Sequence, residues 1–359
     1  MKNYFTKSAL AALASLALLA SCDKENETPI TIDPVENPTV AYVLNTGNWG
    51  GNDGSIQGYI KVANNAGQIS TDLFAAANGH GIGEPQDLCV YGRKIYIPCS
   101  TQAKIEVVEH PSFRSVKQLP LTNEEGQPIS PRYATAVGGK VYFTTQRGTV
   151  LRIDTLSLEI DATLPLGGMP EALTHAGGKL YINLSDYAWD YSGKEVAVVD
   201  IATFTVTKRI EVVVNPYDTM LTGSDGMVYF VSVGHYDGNP PATLQRINPA
   251  TDEVTTLCNA SKIALHDHLI YILYAEANAG GIAPSCTVYD VKTGQQRPFI
   301  NYNDIPNPAF LKVDPKTGDV YIGSGSYGAL FDVYVYGSDG VFKEQFEAGV
   351  NTTNLFFVE

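Results

Sequence analysis

From Glu84 onward the chain alternates short apolar runs with turns rich in Gly, Asn and Asp, and the pattern recurs along its length. The units are "EPQDLCVYGRKIYIPC" from Glu84, "SPRYATAVGGKVYFTT" from Ser130, "MPEALTHAGGKLYINL" from Met169, "NPYDTMLTGSDGMVYFVS" from Asn215, "NASKIALHDHLIYILY" from Asn259 and "NPAFLKVDPKTGDVYIGS" from Asn307. Each predicts a strand, a tight turn and a second strand. That second strand carries a tyrosine at one fixed place: Tyr96, Tyr142, Tyr181, Tyr229, Tyr271 and Tyr321, separated by 46, 39, 48, 42 and 50 residues. A period of this size, built from short strands, is the signature of propeller blades.

The remainder of each unit supplies a third and a fourth strand, joined by a turn that opens on Asp, Asn or a similar breaker, as in "RIDTLSLEI", "VVDIATFTV", "RINPATDEV", "YDVKTGQQR" and "YGSDGVFKE". Asp and Asn bond their own backbone at such turns. Two pieces are left over. "GVNTTNLFFVE" at the C-terminus has the pattern of a lone first strand, and residues 39 to 75 have that of strands two to four, with Tyr42 falling on the tyrosine column. Joined, they make a seventh blade that ties the chain ends together and leaves no open sheet edge. The expected fold is all-β: a seven-bladed β-propeller with four antiparallel strands per blade, closed by one C-terminal and three N-terminal strands. The aligned tyrosines are expected to pack between blades rather than to touch a ligand.

The N-terminal pattern is different. Lys2 and Lys7 precede an apolar run from Ala9 to Ala20, and "LASC" closes it at Cys22. The run is too short to span a membrane and has the form of an export signal. Its end resembles a bacterial lipobox, which makes Cys22 the expected lipidated N-terminus. Residues 1–21 are thus expected to be a lipoprotein signal peptide, 22–38 a flexible tether, "CDKENETPITIDPVENP", and 39–359 the propeller. Beyond residue 21 the chain keeps 22 basic and 38 acidic residues, a net charge of −16. Nucleic acid and anionic lipid are poor partners for such a chain. Cys89, Cys99, Cys258 and Cys286 follow no metal-ligand spacing, and their disulfide state is left open.

In a propeller, the loops joining second to third strands and the connections between blades gather on one face, around the channel mouth. The opposite face is expected to carry only short turns such as "YGRK", "VGGK", "AGGK" and "LHDH". The mouth loops are longer and hold both tryptophans among aromatic and amide residues. Rings beside such groups make a surface that stacks on a flat ligand and bonds its edge. The candidate ligand-binding residues are therefore Asn48, Trp49, Asn52, Gln102, Gln146, Arg147, Asp186, Tyr187, Trp189, Tyr191, His235, Tyr236 and Tyr327 from these loops. The connections between blades add His80, Gln86, Arg132, Tyr133 and Tyr217.

No G-x-S-x-G, H-E-x-x-H or P-loop pattern occurs. "HDH" at His266 to His268 falls in a far-face hairpin turn, and no metal site is expected. The carboxylates Glu84, Glu171, Asp186, Asp190 and Asp237 reach the mouth region, but sequence gives no separation from which to build an acid–base pair. No catalytic residue or catalytic cofactor is expected. A propeller lactonase is the enzymatic alternative.

The lipobox with "CDKENE", the opening "AYVLNTGNWGGNDGSI" and units of the type "GMPEALTHAGGKLYI" resemble the YncE-like seven-bladed lipoproteins, and more narrowly the BtuG family of surface vitamin B12-binding proteins. The resemblance implies a lipid-anchored outer-membrane protein that captures cobalamin and delivers it to a TonB-dependent transporter, with no chemistry performed. It assigns no cobalt ligand to His80 or His235. The competing readings are a glycan-binding lipoprotein and an adhesive one.

Overall fold

The computed structural model describes residues 39–61, 67–186, 192–235, 237–275 and 282–358. The expected signal peptide, the tether and Cys22 lie outside the described residues, as do Tyr187, Trp189, Tyr191 and Tyr236.

Seven sheets of four strands each follow one another along the chain. Blade 1 runs Cys89–Tyr91, Lys94–Cys99, Lys104–Glu109, Ser115–Pro120. Blades 2 to 6 open with Pro131–Val137, Met169–Ala176, Pro216–Thr222, Lys262–His266 and Pro308–Val313. Blade 7 pairs the C-terminal strand Thr352–Phe357 with Thr39–Asn45, followed by Ser55–Ile60 and Gln68–Asp72. Pairing within every blade is antiparallel, and the first strands pack against their neighbours around the axis.

The closure is held by more than strand pairing. Asn45 donates to Ser55 and Gln57 from its amide nitrogen, while its carbonyl oxygen accepts from Gly349 N–H and from the Thr352 hydroxyl at 2.6 Å. Asn351, at φ 52°, donates to the Gly47 carbonyl and accepts from Gly328 N–H. Farther out, Glu344 of blade 6 receives the Tyr59 hydroxyl, the Lys61 ammonium and Gly67 N–H of blade 7 at 2.7 to 2.8 Å. Against the upward push of burial, these three donors hold its carboxyl below the usual range.

The core lies between blades. Tyr42, Tyr96, Tyr142, Tyr181, Tyr229, Tyr271 and Tyr321 are all at most 2 % exposed, which makes the tyrosine column a packing feature as expected. The outer hairpins close on Asx turns: Asp154 accepts from Leu156 and Ser157 N–H, Asp200 from Thr203, Asn248 from Ala250, and Asp290 from Lys292. "HDH" occupies the turn between the first two strands of blade 5, with Asp267 at φ 53°. Two short helices depart from the expectation, one being a 3-10 turn at Tyr302–Asp304 between blades 5 and 6. Residues 73–78, read as the end of a strand and a loop, form a short helix, Leu73–Asn78, with Asp72 capping Phe74 N–H and Gly79 in the left-handed region. Phe74 is fully buried, and this contact favours a single helical turn that the sequence alone would not sustain.

Candidate functional site

The first strands of blades 2, 3, 4 and 6 each lose register just after their opening Pro. Such bulges re-aim side chains. Here the residues at these places, Arg132, Tyr133, Tyr217, Asp218, Thr219 and Ala309, line the mouth of the central channel. The cavity is about 480 Å³ and is completed by Thr46, Gln86, Lys262, Lys312, Tyr327 and Asn351 to Asn354.

Its most ordered part is a guanidinium fork. Arg132 donates Nε to Glu171 Oε2 at 3.0 Å, Nη1 to Gln86 Oε1 at 2.8 Å and Nη2 to the Tyr217 hydroxyl at 3.3 Å, and its guanidinium lies 5.3 Å from the Tyr133 ring centroid. Four blade openings thus meet at one side chain. Glu171 is 1 % exposed, and burial pushes its carboxyl up to about 7 against the pull of Arg132. Burial likewise pushes Asp87 up to about 6, against the N–H groups of Ala134 and Leu88 that it accepts from. Next to Tyr217 in the chain, Asp218 pairs with Lys262, which against the push of burial holds that carboxyl below its usual range.

The rim over blade 7 is a different kind of surface. Trp49 is 64 % exposed and Tyr327 74 %, and the two are tied together because Trp49 N–H donates to the Tyr327 hydroxyl at 2.9 Å. The loop is braced by Asp53 and by two residues of neighbouring segments, Glu84 and Gln102. Asp53 accepts from Asn48 N–H and from the Asn48 amide, Glu84 accepts from Gly50 N–H, and Gln102 bonds Asn52, Thr101 and Glu84 N–H. Gly54 and Gly83 pass so close that a Cβ on Gly54 would lie 2.4 Å from the Gly83 carbonyl oxygen. This crossing joins the rim loop to the connection that leads into blade 1.

Of the sequence-predicted residues, Gln86, Arg132, Tyr133, Tyr217 and Tyr327 come together in the mouth, with Trp49 on its rim. Asn48, Asn52 and Gln102 lie near Trp49, with Asn48 bonded to Asp53 and Gln102 to Asn52 and Glu84 N–H, and Asn52 exposed. His80 is exposed beyond the short helix, with Nδ1 on the Gly81 carbonyl and its ring against Phe74. Gln146, Arg147, Asp186 and His235 do not line the cavity; Asp186 accepts from Ser192, and His235 lies 2.9 Å from Asp237. Sequence reasoning missed Asp218, Thr219, Lys262, Lys312 and Asn354. Their signal was present as polar residues inside the apolar first strands, as in "NPYDTM" and "NASKIA".

Among the described residues, no group of three or more His, Cys, Asp or Glu side chains is placed to hold a metal. The four described cysteines are unpaired thiols.

Comparison with known proteins places the fold and stops there. No protein-family model matches the chain, and no curated protein does. Among solved structures, BamB from Moraxella catarrhalis is similar over 90 % of this chain and 86 % of its own, at 14 % identity and TM-score 0.52. The hydrazine synthase of Kuenenia stuttgartiensis aligns over 78 % of this chain and 80 % of its own, at 16 % identity and TM-score 0.53. The WD40 repeats of RRP9 align over 74 % and 81 %, at 12 % identity and TM-score 0.53. Neighbours this diverse share the propeller and no one activity.

Proposed function

We propose that this protein is a capture protein: its mouth face holds a broad, flat ligand with a rim of amides, cobalamin or a related corrinoid, for transfer to a TonB-dependent transporter, with Cys22 carrying the lipid that anchors the protein at the outer membrane. The observation that carries the reading is the pair of exposed aromatic residues, Trp49 and Tyr327, joined by the Trp49 backbone N–H to the Tyr327 hydroxyl, with Tyr327 lining the mouth cavity. Exposed aromatic surface of this kind contributes to binding when a flat ligand covers it. A cavity of about 480 Å³ suits a drug-sized molecule rather than a whole corrinoid. The ring system therefore lies across the rim, with the cavity beneath it taking a substituent. The bracing of the Trp49 loop by Asn48, Asp53, Glu84 and Gln102 supports tight capture, because a loop already in place loses little freedom on binding.

Calorimetry with cyanocobalamin and with a panel of oligosaccharides tests the reading. Heat is expected with cyanocobalamin; none at micromolar protein, or heat only with a sugar, overturns it. In the same assay, Trp49→Ala is expected to weaken cyanocobalamin by about 2 kcal/mol, roughly thirty-fold in Kd, the scale of an aromatic hot spot. Its melting temperature is expected to move by less than about 2 °C, since the ring is exposed and the backbone N–H that holds Tyr327 remains. A large loss of stability with unchanged affinity would make Trp49 a packing residue.

A further inference from the structure

Lys312, on the first strand of blade 6, lines both the mouth cavity and a second cavity of about 610 Å³ toward the far-face ends of the first strands. Its ammonium has no hydrogen-bond or ion-pair partner among the described residues. Burial pushes its pKa down, against the through-space attraction of Asp87 and Asp218. A charge taken out of water and left unpaired is costly, and an ammonium brings three donors to whatever relieves it.

The surroundings favour a negative group. Beyond residue 21 the chain carries 38 acidic residues against 22 basic, yet the described residues that line the mouth cavity include three cations, Arg132, Lys262 and Lys312, and one carboxylate, Asp218. Asp218 is already held by Lys262 and by the Thr219 hydroxyl. Glu171 and Asp87 are buried and do not line the cavity; burial pushes them up to about 7 and about 6, so at about pH 5.5 most of their opposing charge is gone. The second cavity adds no carboxylate among its described lining residues, and burial pushes His175, its other titratable group, down. Arg132 spends three of its five N–H donors on Gln86, Glu171 and Tyr217, and Lys262 one of its three on Asp218, so both keep N–H groups for a further acceptor.

We propose that the bore is a site for one oxyanion group, a phosphate or a carboxylate, that accepts from the Lys312 ammonium inside the cavity that Arg132 and Lys262 also line. The site stands independently of what lies across the rim: its anion is either a free ion or a charged substituent of the captured ligand.

Calorimetric titration of inorganic phosphate and of acetate into the wild type, Lys312→Met and Lys117→Met, at about pH 5.5 and low salt, tests it. The wild type is expected to take up one anion per chain with a Kd of about 1 mM or tighter, and Lys312→Met to bind it roughly ten-fold or more weaker. Lys117→Met, which removes a lysine from the outer strand of blade 1, is expected to match the wild type. No saturable uptake of either anion, equal affinity in Lys312→Met, or the same weakening in both variants would each overturn the site. If Lys312→Met does not fold, wild-type crystals soaked in tungstate carry the test: an oxyanion within hydrogen-bond reach of Lys312 Nζ is expected, and an empty bore overturns the proposal. Repeating the cyanocobalamin titration at saturating phosphate, against sodium chloride of equal ionic strength, separates the two sources. Weaker binding identifies the ligand's own phosphodiester as the anion in the bore, and unchanged or tighter binding identifies a separate ion. A wild type that binds phosphate but not cyanocobalamin would overturn the capture reading and leave this site standing.

Discussion

Arg132→Met is expected to cost the fold about 3 to 5 kcal/mol, because it leaves the Glu171 carboxylate buried without its guanidinium. The side chain also joins Gln86, Glu171 and Tyr217, so the openings of three other blades lose their common partner. The loss should depend on pH, and its sign follows from Glu171. Burial raises that carboxyl to about 7 in the fold, above its unfolded value, so its contribution to stability is full below the unfolded pKa and is lost as pH rises through about 7. Without Arg132 the carboxylate has no cation to hold its charge, so the damage is expected to be larger at pH 8 than at pH 5. Chemical denaturation at both pH values measures this. A pH-independent loss would mean that Glu171 is already neutral beside Arg132.

Tyr181→Ala is expected to destabilise by about 3 to 5 kcal/mol while leaving ligand affinity unchanged, the reverse of Trp49→Ala. Tyr181 is 0 % exposed and packs among Ala172, Val196, Val198, Met220 and Phe230 between blades 3 and 4. Removing its ring opens a void that strands paired on both sides cannot close. A denaturation midpoint close to that of the wild type would show that the tyrosine column is not what holds neighbouring blades together.

These two residues also mark how far the sequence could be read. Tyr181 was legible because it recurs: six tyrosines at one register position, with Tyr42 completing the seventh, gave the blade count and the closure before any contact was known. A repeat averages out local ambiguity, which is why the missed helix Leu73–Asn78 lies outside the repeating unit. Arg132 was legible as a residue of the mouth but not as the centre of a network, since its partners Gln86, Glu171 and Tyr217 are 46, 39 and 85 positions away. Asp218, Lys262 and Lys312 stayed hidden for a related reason. They sit in strands that read as core, and the turn of their side chains into the bore follows from blade geometry rather than from apolar periodicity. The rim shows a further limit. Asn48, Asn52 and Gln102 have the chemistry of ligand partners and also brace the rim, Asn48 to Asp53 and Gln102 to Asn52 and Glu84 N–H, and sequence does not say which of two partners a side-chain amide has taken.

What emerges is a mouth with two layers: an exposed aromatic rim braced by hydrogen bonds to neighbouring segments, and a bore lined by charged residues beneath it. The most direct measurement of the proposed capture is a crystal structure of the protein grown with cyanocobalamin. The account predicts the corrin lying across the mouth in contact with the Trp49 and Tyr327 rings, with a substituent in the cavity beneath. Cobalamin seated on the far face or on an outer blade edge, with the mouth empty, would contradict it.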